Sequence, residues 1–74
     1  MYKWRVVVYL ESGATVAGKY CGEETTSDDV AEKLFGGKPS DFVGIAGLSR
    51  LHQIFIKKGS VAAFDISLWV EKGE

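Results

Sequence analysis

Residues 4–20, WRVVVYLESGATVAGKY, constrain the fold more than any other stretch. Trp4, Val6, Val8 and Leu10 alternate with Arg5, Val7, Tyr9 and Glu11. Period-two alternation of β-branched and aromatic residues is the signature of a strand with one covered face. Ala14, Val16, Gly18 and Tyr20 alternate with Thr15, Ala17, Lys19 and Cys21 in a second arm. The turn falls near Ser12-Gly13, and its length sets the register. A two-residue loop would pair Glu11 with Ala14 and put Trp4, Val6, Val8 and Leu10 on one face with Thr15, Ala17 and Lys19. A three-residue loop, Glu11-Ser12-Gly13, pairs Leu10 with Ala14, Val8 with Val16 and Trp4 with Tyr20. It gathers the apolar residues on one face, leaves Lys3, Arg5, Thr15 and Lys19 on the other, and puts Gly13 at the left-handed position such a loop requires. The three-residue loop is the expected one.

The rest of the chain must cover that apolar face. Seventy-four residues make one small domain, 1–74, with a frayed polar tail at 71–74. A chain this short buries only about two thirds of its unfolded surface, so its stability is expected to be a few kcal/mol. The 46% hydrophobic content argues against disorder. No apolar run reaches the roughly 20 residues of a membrane span, and no signal peptide is expected, because the first strand begins almost at Met1. The single Cys21 excludes an internal disulfide framework and suits a reducing cytoplasm. A net charge of −1 gives no global drive toward nucleic acid or acidic membranes.

After the hairpin, Ser27 is the expected N-cap of a short helix, with Asp28 and Asp29 in its first turn. Val30 and Leu34 mark the buried stripe, Ala31 and Phe35 widen it, and Gly36-Gly37 stops it. Gly37-Lys38-Pro39-Ser40 is a loop by composition. The apolar, Gly-rich residues 42–48 are expected to form a short irregular strand. Residues 51–57 and 61–70 read as a second hairpin around Lys58-Gly59-Ser60. A three-residue loop there places Ile54, Ile56, Ala62, Phe64, Ile66 and Leu68 on one face, with His52 at its edge. Phe55, Lys57, Asp65 and Ser67 face the other way. The opposite parity would set His52 across from Asp65. The expected fold is α+β: two antiparallel β-hairpins with one short helix between them, in one curved sheet or small partly open barrel. The terminal strands should be neighbours, with Trp4 near Trp69.

Val8-x-Leu10-x-x-Gly13-x-x-x-x-Gly18 resembles the first strand pair of Sm-like RNA-binding proteins, and the residues from Ile56 to Val61 are similar to their second motif. The resemblance covers about a third of the chain and implies an Sm-like or SH3-like barrel. It does not carry the family's RNA site over. The family's Asp and Asn are matched only by Glu24 in a chain without Asn, its Arg-Gly pair becomes Lys58-Gly59, and its N-terminal helix is missing while a helix interrupts the middle of the pattern. In size and style the chain also resembles small uncharacterised proteins of Gram-positive phages and mobile elements.

Several constellations bear on function. His52 with Asp65 and Cys21 could form an acid–base and nucleophilic set, but a lone residue of each type satisfies no spacing rule. No catalytic residue, cofactor or metal is therefore expected. Glu23, Glu24, Asp28, Asp29 and Glu32 form an acidic run without the spacing of a calcium loop. Glu23, Glu24, Asp28 and Asp29 are the candidate surface for a basic protein partner. Lys3, Arg5 and Lys19 share a strand face with Tyr9, and these four are the alternative, a nucleic-acid surface built from phosphate attraction and stacking. The acidic segment lies between two basic ones, a dipolar arrangement that favours docking on a protein, or self-association, over tracking a phosphate backbone. A non-enzymatic protein-interaction module, homo-oligomeric or a small phage-type inhibitor, is the expected function.

Overall fold

The first hairpin forms as its alternation dictates. In the computed structural model, which describes residues 1–47 and 52–69, β1 (Tyr2–Leu10) and β2 (Thr15–Gly22) pair antiparallel with Val8 opposite Val16 and Trp4 opposite Tyr20. Leu10 N–H donates to the Ala14 carbonyl and Gly13 N–H to the Leu10 carbonyl, both at 2.9 Å, which closes the three-residue loop. Gly13 has φ +94°. There a side chain would meet the following carbonyl, so glycine is the residue the turn needs.

Helix α1 (Ser27–Phe35) follows. Its N-cap is Thr26, one residue before the expected Ser27. The Thr26 hydroxyl accepts from Asp29 N–H at 3.2 Å, and Ser27 becomes the first helical residue. Asp28 and Asp29 sit in the first turn and Lys33 in the last, as the helix dipole favours. Val30 and Leu34 are the buried stripe.

The short strand expected in residues 42–48 exists as β3 (Phe42–Ala46), and it pairs antiparallel with β4 (Gln53–Lys57). Leu48 and Leu51 lie outside the described residues, as do Val70 and the tail. A single turn of 3₁₀ helix, Lys58–Ser60, leads from β4 to β5 (Val61–Leu68). The expected second hairpin does not form. β5 instead pairs antiparallel with β1, Val8 opposite Phe64 and Val6 opposite Ile66. The strand order is β4-β3-β2-β1-β5, so the consecutive strands β4 and β5 stand at opposite edges of one open sheet. The terminal strands are neighbours, and Trp69 N–H donates to the Lys3 carbonyl, one residue from Trp4.

This order forces the sheet to curl. In a flat sheet the two edge strands would stand about 19 Å apart, at roughly 4.8 Å per neighbour. One turn of 3₁₀ helix rises about 2 Å per residue and carries the chain only about 8 Å. The edges must therefore approach each other at the corner. Gly18 lets the backbone of β3 come close against β2. A Cβ there would lie 2.6 Å from the Ala46 carbonyl oxygen and 2.8 Å from the Ile45 side chain. β2 and β3 meet at one register pair only, Lys19 with Ala46.

The core lies inside the curl, under α1: Trp4, Val6, Val8, Val30, Leu34, Val43, Ile45 and Ile56 are buried. Val16, Ile54 and Ile66, expected in the core, pack against it partly buried. Phe64, also expected there, is 41% exposed, because β5 is an edge. Its ring stacks on Phe35 of α1, centroids 4.3 Å apart. A bulge between Tyr9 and Leu10 sets Leu10 opposite Val61 and leaves Ala62 exposed, so Val61 packs on the core where Ala62 was expected.

Candidate functional site

The acidic run becomes a shallow, open concavity at the entrance to α1, lined by Glu23, Glu24, Asp29, Glu32 and Lys33. Its floor is set by the end of the hairpin. Trp4 Nε1 donates to the Glu24 carbonyl at 3.3 Å, and the Tyr20 hydroxyl donates to Glu24 Oε1 at 2.8 Å. Core tryptophan and strand tyrosine thus fix the backbone and the carboxylate of one acidic residue. The hydrogen bond from Tyr20 holds the Glu24 carboxyl below its ordinary pKa. A bond to its own backbone and the charge of Lys33 act in the same direction, against a smaller opposing effect of desolvation. Burial pushes the Tyr20 phenol up, reinforced by its bond to Glu24 and by that residue's charge. Glu24 is therefore an oriented anion at neutral pH.

The four acidic candidates divide. Glu23, Glu24 and Asp29 line the concavity, while Asp28 is exposed beside it in the first helical turn. Glu23 also lies 4.0 Å from the chain's amino terminus. Tyr20 was not among the sequence candidates. Its parity puts it on the apolar face opposite Trp4, and only the fold of the residues after Gly22 returns Glu24 to its hydroxyl.

The basic candidates share the outer face of β1 and β2, as the alternation implies. Arg5 is directly opposite Lys19 and Lys3 opposite Cys21. Lys3 Nζ stands 5.8 Å from the Trp69 ring centroid, within cation–π range. Tyr9 lies at the far end of the face, opposite Thr15 and Ala63. Asp65 is on the same face, opposite Val7 and two residues after Tyr9's partner Ala63. No ion pair to Arg5 or Lys19 occurs among the described residues. Like charges directly opposite cost stability in a sheet.

The catalytic candidates are not brought together. His52 is exposed ahead of β4, its ring against Gly47. Asp65 is exposed on β5 at the opposite edge, and Cys21 is exposed on β2. Since β4 and β5 do not pair, neither parity of the expected hairpin applies to His52 and Asp65. Among the described residues, no three His, Cys, Asp or Glu side chains are grouped as a metal site, and no helix is long and apolar enough to cross a membrane.

Two aromatic side chains stand out in the other half of the sheet. Phe42 and Phe55 are 64% and 68% exposed on the outer face of β3 and β4. Phe42 is opposite Lys57 and Phe55 opposite Gly44, so they are diagonal neighbours. The alternation puts Phe55 on the outer face, but its high exposure there among the described residues was not readable. No protein-family model, curated protein or solved structure matches the chain.

Proposed function

We propose that this protein is a non-enzymatic protein-interaction module that presents the acidic concavity to a basic partner. The supporting observation is the fixed Glu24 carboxylate, held by Tyr20 at 2.8 Å, with Glu23, Asp29 and Glu32 around it. A carboxylate already oriented loses less freedom when it meets an Arg or Lys of the partner. The dipolar charge pattern supports the same reading, because it steers oriented docking. The strand order and the corner between β4 and β5 support an SH3-like or Sm-like curl as the scaffold. The free Cys21 fits a cytoplasmic setting.

An affinity capture from host lysate, with and without nuclease, tests this reading. A protein partner should be retained after nuclease treatment and lost when Glu24, Asp28 and Asp29 are neutralised together. Capture that the triple variant leaves unchanged contradicts it.

One observation favours a second reading, nucleic-acid binding: Arg5 and Lys19 face each other with no carboxylate bridging them among the described residues. Fluorescence anisotropy with single-stranded RNA and DNA separates the two. The protein reading expects nothing tighter than about 10⁻⁴ M at physiological salt. Micromolar binding lost on changing Arg5 and Lys19 to Ala would promote the second.

A further inference from the structure

The backbone register of β4 determines which of its groups face outward. Gly47 N–H donates to the His52 carbonyl and Lys58 N–H to the Asp41 carbonyl. Bonded and non-bonded pairs alternate along an antiparallel ladder. His52, Ile54, Ile56 and Lys58 thus turn their backbone groups toward β3; Gln53, Phe55 and the Lys57 N–H face the open edge, while the Lys57 carbonyl caps the 3₁₀ turn. No strand pairs with that edge among the described residues.

Exposed strand edges are ordinarily blunted by central charges, bulges or a covering element. β5, the other edge, has all three: Asp65 in mid-strand, the bulge at its start, and Phe35 of α1 stacked on Phe64. Among the described residues, β4 has none of them at its centre. Phe55 is the middle residue, and the only charge on the strand, Lys57, is at its end. The exposed Phe42 extends the apolar surface on the same face.

We propose that two copies of this chain associate through β4, antiparallel about a two-fold axis at Phe55. The proposal rests on the protein-interaction reading and adds a second copy as a partner, on a different surface from the acidic concavity. Phe55 then faces Phe55 of the second copy, and Gln53 faces Lys57 of the second copy on either side. Phe55 exchanges both backbone bonds with Phe55 of the second copy, and each Lys57 N–H donates to the Gln53 carbonyl opposite it. Charge selects this register: Lys57 meets an amide, whereas centring the pair on Lys57 would set two ammonium groups face to face. A foreign strand would need an apolar residue at its centre and no cation opposite Lys57, and a second copy meets both conditions. The axis also joins the two Phe42–Phe55 patches into one continuous apolar surface. Five-residue strands with two aromatics make an interface at the small end of the specific range, so the dimer is expected to dissociate at about 10 µM to 1 mM.

Sedimentation equilibrium over that range tests the proposal. The weight-average mass should climb from the 8.1 kDa of the monomer toward twice that value. Phe55→Glu should hold it at the monomer mass. Gln53→Pro replaces an outward N–H that β3 does not use with a ring that crowds the edge, so it should keep the monomer fold by circular dichroism and weaken association. In a Cys21→Ser background, Phe55→Cys should cross-link to itself under mild oxidation, since directly bonded residues lie about 5.5 Å apart, within disulfide reach. Gln53→Cys, which faces position 57, should cross-link far less. A wild-type mass fixed at the monomer value overturns the proposal. So does association that survives Phe55→Glu, or equal cross-linking at positions 53 and 55. None of these outcomes affects capture by the acidic concavity, so the two readings can fail separately.

Discussion

The loop between β1 and β2 and the link between β4 and β5 are both three residues long, yet the first closes a hairpin and the second turns a corner. The hairpin loop is held by its own backbone, Gly13 N–H to the Leu10 carbonyl and Leu10 N–H to the Ala14 carbonyl, with Gly13 at positive φ. The corner is held from outside. Lys58 N–H donates to the Asp41 carbonyl, Gly59 N–H to the Pro39 carbonyl, and the Lys58 ammonium to the Gly36 carbonyl just past α1. Gly59 is not in the left-handed region. The turn also winds on itself, Val61 N–H donating to the Lys58 carbonyl, and this 3₁₀ geometry delivers β5 to the far edge, beside β1. Connection length alone therefore does not decide topology.

The two halves of the sheet joined across Gly18 should respond unequally to truncation. Ile45→Ala removes a side chain that is 2% exposed and packed where β2 and β3 barely pair. It should cost about 2–5 kcal/mol. Phe64→Ala, at a 41% exposed edge position, should cost only about 1–2 kcal/mol. Denaturant titration of both variants measures the difference, and equal losses would mean that β5 is as central as β3. Lys58→Met should cost about 1–2 kcal/mol through the lost charge-assisted bond to Gly36. Native-state hydrogen exchange would locate that loss, with the Lys58 and Gly59 amides losing protection while the Leu10 amide keeps it. Gly13→Val acts on the other connection and should cost about 1 kcal/mol or more, because a β-branched residue resists positive φ.

The smallest expected effect is one of pH. Glu24 has a depressed carboxyl pKa in the fold. Its contribution is present at neutral pH and is lost as pH falls through the folded-state value, which lies below the ordinary carboxyl value. Tyr20 has a raised pKa, so its contribution is present below about pH 10 and is lost as pH rises through its higher folded-state value. Tyr20→Phe should flatten both limbs of a Tm-versus-pH profile. An unchanged acid limb would mean that Glu24 is not held by Tyr20.

The chain states its local structure well. Alternation and Gly13 were enough for the first hairpin and its register, including Arg5 opposite Lys19. The helix was readable to within one residue, since Thr26 and Ser27 both carry a hydroxyl and the backbone decides which one caps. What stayed hidden depends on contacts far apart in sequence. Lys58-Gly59-Ser60 has the composition of a hairpin loop, and nothing local announces that Pro39 and Asp41 will take its amides. The mispaired β5 followed from that, and with it the overestimated burial of Phe64. At the site, the carboxylates were legible as a run, but the role of Tyr20 was not, because it depends on how the chain folds back after Gly22.

Cross-strand proton contacts in solution test the corner most directly. β1–β5 pairing predicts nuclear Overhauser effects between Val7 and Asp65 and between Val8 and Phe64, and none linking Ile56 with Ala62 or Ile54 with Phe64. Contacts from Ile56 to Ala62 and from Ile54 to Phe64, with none from β1 to β5, would restore a β4–β5 hairpin. That result would contradict the strand order on which the free edge of β4 depends.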